Sequence, residues 1–138
     1  MTSSLQDVGL AVKRLQWRHH RETNTRLATL GLSLAQWDVL RHLHDQPDAS
    51  LHTLALLTFQ TDQSMGSLAT RMIDRGLLRR LSGPGRAVRH EITDVGEDLR
   101  EKGSGILDDV LGETVGQLSD RERATLEKLL RKATPDPY

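Results

Sequence analysis

Apolar residues along the chain recur at helical rather than alternating spacing almost throughout. Leu5, Val8, Val12, Leu15 and His19 step by three and four, which predicts an amphipathic helix from about Ser4 to Leu30, closed by Gly31 as a left-handed cap. Ser33 and Gln36 read as a capping box opening a second helix through Trp37, Leu40 and Leu43 that stops before Pro47. Ser50 caps a short third helix carrying Leu51, Leu54, Ala55 and Leu57. Thr61 caps a fourth, with Met65, Leu68, Ala69 and Met72 inward and Gly76 at its end.

Beyond Gly76 the period changes. "LLRRL" (77–81), a Gly-Pro-Gly turn and "AVRHEI" (87–92) predict a two-stranded hairpin, with Val88, His90 and Ile92 on one face and Arg89 and Glu91 on the other. Thr93 or Asp94 then starts a long helix through Leu99, Ile106, Leu107, Val110, Leu111 and Val115 to about Gln117. Ser119 and Glu122 box the last helix, which carries Leu126, Leu129 and Leu130, and "TPDPY" reads as a frayed tail. The expected fold is mainly α, six helices with a small β-hairpin. No internal repeat or low-complexity segment interrupts it.

A chain of 138 residues, 36% hydrophobic and 28% charged, suits one domain with a real core, and its four aromatics (Trp17, Trp37, Phe59, Tyr138) do not suit a large β-sandwich. The absence of cysteine excludes disulfides, thiolate zinc and thiol redox sensing. The first thirty residues hold five cationic side chains and no continuous apolar run, so neither a signal peptide nor a membrane span is expected, and a cytoplasmic location is the default. Net charge is zero but unevenly spread: residues 1–32 carry +3, 33–93 carry +1, and 94–138 carry −4. Within 71–90 six arginines meet only Asp74, a local stripe of +5 able to hold a polyanion.

The short third helix, tight connection and fourth helix form a helix-turn-helix pattern, and the hairpin beside it makes a winged one. On the fourth helix Gln63, Ser64, Ser67, Thr70 and Arg71 are short or basic side chains suited to base edges and phosphates, and Arg86 and Arg89 follow on the hairpin. A polar stripe by itself is an ordinary solvated helix face. Its coincidence with the tight turn and the arginine stripe shifts the reading to double-stranded DNA.

Other chemistries fit less well. The Gly-Pro-Gly turn leads into a strand and lacks the Lys-Ser/Thr of a phosphate loop, so nucleotide binding is not expected. Six histidines (19, 20, 42, 44, 52, 90) raise a metal site, with His19-His20 and His42/His44 able to meet across helices, but no compact cluster of carboxylates or thiols accompanies them. Hydrogen-bonded histidines are the expectation, with no metal and no cofactor. No nucleophile, base and acid occur in a catalytic arrangement, so no enzyme is expected.

The stretches "LSLAQWDVLRHL" (32–43), "LHTLALL" (51–57), "SLATRMIDRGLLRR" (67–80) and "GRAVRHEITDVGEDL" (85–99) resemble the MarR family of bacterial transcription regulators. The resemblance implies a triangular homodimer whose first, fifth and sixth helices interlock, presenting two winged lobes to a palindromic operator. On that division 1–32 and 94–138 form the dimerisation region and 33–93 the DNA-binding lobe. It places Gln63, Ser64, Ser67 and Arg71 on the recognition helix and Arg86 at the minor-groove wing position. It further implies repression relieved by a small molecule between base and lobe, for which Trp17, His20, Trp37 and Arg41 are candidate pocket residues. Two positions depart from the pattern. Pro84-Gly85-Arg86 lacks the family's aspartate before the wing arginine, and Phe59 replaces a small turn residue, where it is expected to fill a gap in the core. The alternative of another class is a winged-helix protein-interaction module.

Overall fold

In the computed structural model, which describes residues 2–82, 85 and 87–134, the chain forms α1 (Leu5–Leu27), α2 (Leu34–Asp45), α3 (Leu51–Leu57), α4 (Asp62–Asp74), β1 (Leu78–Leu81), β2 (Arg89–Ile92), α5 (Asp94–Gly112) and α6 (Asp120–Ala133). Six helices and one antiparallel hairpin are the architecture expected from the sequence.

Polar caps fix most boundaries. The Ser33–Gln36 and Ser119–Glu122 boxes are both closed, and a Ser4–Asp7 box opens α1. Thr93, rather than Asp94, caps α5 by accepting from the Gly96 amide. Gly31 (φ 71°) and Gly76 (φ 75°) take the left-handed conformation that ends a helix cheaply only in glycine. Two ends differ from expectation. The last turn before Gly31, Ala28–Leu30, is a 3-10 turn. The long helix stops at Gly112 rather than near Gln117, because Thr114 leaves the helical region (φ −118°, ψ −94°) before a separate 3-10 turn over Val115–Gln117.

The core lies where α2, α3, α4 and β1 converge on the C-terminal end of α1. Leu27, Val39, Leu40, Leu43, Leu54, Met65, Met72 and Leu77 are fully buried there. Trp37, 4% exposed, joins this core to α5: its indole N–H donates to the Arg100 carbonyl at 3.0 Å. α2 also packs on β2, and α4 on β1, so the hairpin is anchored from two sides. Strand register pairs Leu78 with Ile92, Arg79 with Glu91, Arg80 with His90 and Leu81 with Arg89.

The two terminal helices are different. Leu5 is 93% exposed, and Val8, Leu10, Val12 and Trp17 of α1 are exposed with it. α6 buries none of its residues, and Leu129 and Leu130 stand exposed. The apolar seam read on α1 is real, but among the described residues of one chain nothing covers its N-terminal half.

Phe59 corrects an expectation outright. It fills no core gap: its side chain is 90% exposed, and its backbone is left-handed (φ 58°).

Candidate nucleic-acid interface

The fourth helix forms because Thr61 caps it through the Ser64 amide and its apolar residues fall on one side. Met65, Leu68, Ala69 and Met72 are buried, which leaves Gln63, Ser64, Ser67, Thr70 and Arg71 exposed together on the other. Thr70 Oγ1 donates to the Gly66 carbonyl at 3.1 Å, leaving the oxygen's lone pairs outward. Asp62, the first residue of the helix, is tied at 2.8 Å to His52 Nδ1 on α3. That contact spans the helix-turn-helix and engages the carboxylate beside the polar face.

The arginine stripe divides once its partners are seen. Arg75 donates to Gln36 Oε1 at 3.3 Å, and Arg79 pairs with Glu91 across the hairpin at 3.2 Å. Arg89 donates to the Val88 carbonyl and lines two clefts walled by α2, the loop of residues 46–50, Thr53 and the hairpin, with no residue of α4 among their linings. Arg71 and Arg80 are exposed and, among the described residues, carry no ion pair or hydrogen bond from their side chains. Arg80 was not singled out from the sequence, and the alternation of "LLRRL" gave no signal for it, since it puts Arg80 on the same face as the inward Leu78, opposite the buried His90. Arg86, with Gly83 and Pro84, lies outside the described residues.

The four candidate pocket residues do not form one enclosure. Trp37 is in the core with the Arg41 guanidinium 5.8 Å from its ring centroid, and Trp17 stacks on His20 with ring centroids 5.9 Å apart. Asp38, unremarked in the sequence, is the perturbed group of this region. Burial pushes its carboxyl up to about 6, against the pull of Arg41 and His20.

A cleft of about 940 Å³ opens elsewhere, between the end of α2, the hairpin and the start of α5. Leu43, Leu81 and Ile92 supply its apolar wall, and His44, Arg89 and His90 its polar one. His44 Nδ1 lies 3.3 Å from Glu97, whose carboxyl the hydrogen-bonding Arg100 guanidinium holds below the usual range. His90 is 4% exposed, its Nδ1 has no partner among the described residues, and burial lowers its pKa, with Arg80 adding to the effect. The remaining histidines do not cluster: His19 shares a 2.6 Å hydrogen bond with Thr114 Oγ1, and His20 one with Asn24. Among the described residues no three metal-ligating side chains converge, and no helix is long and apolar enough to cross a membrane.

A sequence model of the MarR family matches residues 30–87. Among solved structures, Bordetella bronchiseptica BpsR, whose DNA binding is regulated by 6-hydroxynicotinic acid, is 28% identical; the match covers 92% of this chain and 98% of that one at a TM-score of 0.82. A mutant of MarR from E. coli, complexed with operator DNA, is 23% identical, covering 95% and 99% at 0.81. CouR from Rhodococcus jostii, bound to p-coumaroyl-CoA, is 20% identical, covering 96% and 95% at 0.84. No curated protein matches the chain by sequence.

Proposed function

Because the chain belongs to the MarR family, we propose that it is a homodimeric, sequence-specific DNA-binding regulator, a repressor that a small molecule releases from its operator. The observation that carries this reading is the exposed face of α4. Five polar or basic side chains stand there, none bonded to another element among the described residues, beside a hairpin whose Arg80 is unpaired among the described residues. In this reading Gln63 and Ser64 read base edges, Ser67, Thr70 and Arg71 engage bases or phosphates, and Arg86 and Arg89 extend the contact along the wing. A mutant of MarR from E. coli, similar in fold, is complexed with operator DNA, which supports DNA as the partner, and the second helix of a helix-turn-helix is the one that enters the major groove.

The region 33–93 acts as the DNA-binding lobe, and 1–32 with 94–138 as the dimerisation region. The uncovered apolar faces of α1 and α6 support that division, because a second copy can bury both. Two lobes related by a two-fold axis suit a palindromic operator with half-sites about one helical turn apart.

A ligand acts only through different affinities for two lobe spacings. The cleft between α2, the hairpin and α5 has the size of a small-molecule site and touches both the lobe and the base of α5. Trp17, His20, Trp37 and Arg41, on α1 and α2, are the second place to look, favoured by the stacked ring pair and the raised Asp38 carboxyl, which feels Arg41 and His20.

The test is a mobility-shift titration of purified protein on the DNA upstream of its own coding sequence, repeated from low to high salt. Retardation at low salt, falling steeply as salt rises, is the expected result. A protein-interaction module would leave that DNA unshifted at every salt concentration.

A further inference from the structure

The cleft between the end of α2, the hairpin and the start of α5 has charged walls as well as an apolar one. Among the described residues that line it, Asp48, Glu91 and Glu97 are acids and only Arg89 is a permanent cation, while burial keeps His90 neutral. Glu91 is paired with Arg79, and Glu97 with Arg100 and His44. Asp48 and Arg89 carry no ion pair among the described residues, and Arg89 donates only to the carbonyl of its neighbour Val88. A half-buried guanidinium without an anion has given up hydration with no partner in return.

These two unpaired groups of opposite sign stand together. Asp48, Arg89 and Pro47 line both this cleft and the smaller one that reaches Ser50 and Thr53, so they belong to the wall the two share. The larger cleft, of about 940 Å³, adds Leu43, Leu81 and Ile92, which take no part in the smaller one. A ligand whose only charge is a carboxylate would meet Arg89 and, with it, three acids. One whose only charge is an ammonium would leave Arg89 unpaired. A molecule that carries both charges beside an apolar body complements the whole wall.

We propose that this cleft binds a small zwitterion with an apolar side chain, an α-amino acid, with its carboxylate on Arg89, its ammonium on Asp48 and its side chain among Leu43, Leu81 and Ile92. The proposal deepens the reading of this cleft as the ligand site and rests on it. A guanidinium held by a ligand carboxylate is not free for a DNA phosphate, so filling the cleft opposes the wing contact assigned to Arg89.

Calorimetric titration of the full chain, with no DNA present, tests it. The probes are leucine, phenylalanine and two analogues of phenylalanine that each lack one charge, hydrocinnamate and phenethylamine. Both amino acids should bind, and each analogue should bind about ten-fold more weakly than phenylalanine. Asp48→Asn should weaken phenylalanine about ten-fold and leave hydrocinnamate unchanged, whereas Arg89→Gln should weaken it as much and leave phenethylamine unchanged. Neither residue belongs to the buried core, so both variants should melt with the wild type. An analogue that binds as tightly as phenylalanine, a loss in the variants shared by all the molecules, or no binding of either amino acid overturns the proposal. Each of these outcomes leaves the DNA-binding reading to the mobility shift, which decides it separately.

Discussion

The Trp37 indole presses its Cδ1–Nε1 edge against Gly103: a β-carbon on that glycine would overlap Cδ1 and stand 2.6 Å from Nε1 of the ring. The same indole N–H is committed to the Arg100 carbonyl one turn earlier on α5. The lobe core and the long helix are therefore keyed together by a contact with no slack. Gly103→Ala, a single methyl, should lower stability by about 2–3 kcal/mol, because neither the buried ring nor the helix backbone can retreat. Thermal unfolding followed by Trp fluorescence measures it; a loss below about 0.5 kcal/mol would mean that the ring can rotate aside.

The division of the arginines gives a graded expectation for DNA binding. Arg71→Ala should weaken binding to all sequences alike and reduce the salt slope by about one. Gln63→Ala should instead change preference at one half-site position by about 1–3 kcal/mol with the slope intact. Arg75→Ala removes a guanidinium already donating to Gln36, and should leave the salt slope where it was. Binding titrations at several salt concentrations on matched and mismatched duplexes separate the three.

Asp38 predicts a dependence of stability on pH. Its folded pKa of about 6 lies above its value of 3.8 in the unfolded chain, so as pH rises from about 4 to 6 the unfolded state releases its proton first and stability falls. The penalty is complete above pH 6. Asp38→Asn should therefore melt a few degrees higher than wild type at pH 7 and equally near pH 4. Equal melting temperatures at both pH values would show that Asp38 is solvated after all.

His90 carries the opposite sign. Its folded pKa is lowered by burial, so the stability present above its ordinary value of 6.5 is lost as pH falls below that value, when the unfolded chain takes up a proton that the folded chain resists. His90→Leu removes both this dependence and the unpartnered Nδ1, and should add about 1–2 kcal/mol at neutral pH. Urea unfolding of this variant and of Asp38→Asn, each across pH 4–7, resolves the two opposing slopes.

Val12→Glu and Leu129→Glu place a charge in the uncovered faces of α1 and α6. Sedimentation should show monomers for both where the wild type is a dimer, with near-unchanged helical content because neither side chain supports its own chain's core. Persistent dimers in both would assign those faces another partner.

The hydrophobic period and the capping residues made six helices, the hairpin and the inward residues of α4 legible before any coordinates. Ser33, Thr61, Thr93 and Ser119 each cap the helix they announce. What period cannot say is which chain covers an apolar face. Leu5, Val8 and Val12 read like core and are open to solvent. Nor does it give the direction of a side chain in a turn, which depends on the sign of φ; Phe59 was expected inside for that reason and points out. Charge counting found the arginine stripe but not its cross-strand and interhelical partners, which leave Arg71 and Arg80 unengaged among the described residues. α5 was read too long, because Leu111 and Val115 keep the spacing of a helix that Thr114 has already left.

The hairpin is welded to the first turn of α5. Thr93 caps that helix while its hydroxyl donates to the Gly76 carbonyl and its amide to that of Leu77, and a β-carbon on Gly96 would overlap the Leu77 oxygen. α5 is 19 residues long, a rod of about 28 Å. Tilting such a rod by about 5° at its far end carries the near end through about 2 Å, and with no compliant joint at Thr93 the hairpin must ride along. The wing is thus the tip of a lever whose handle lies at the base of the molecule, and an event there that changes the pitch of α5 moves the arginines of the hairpin as a body.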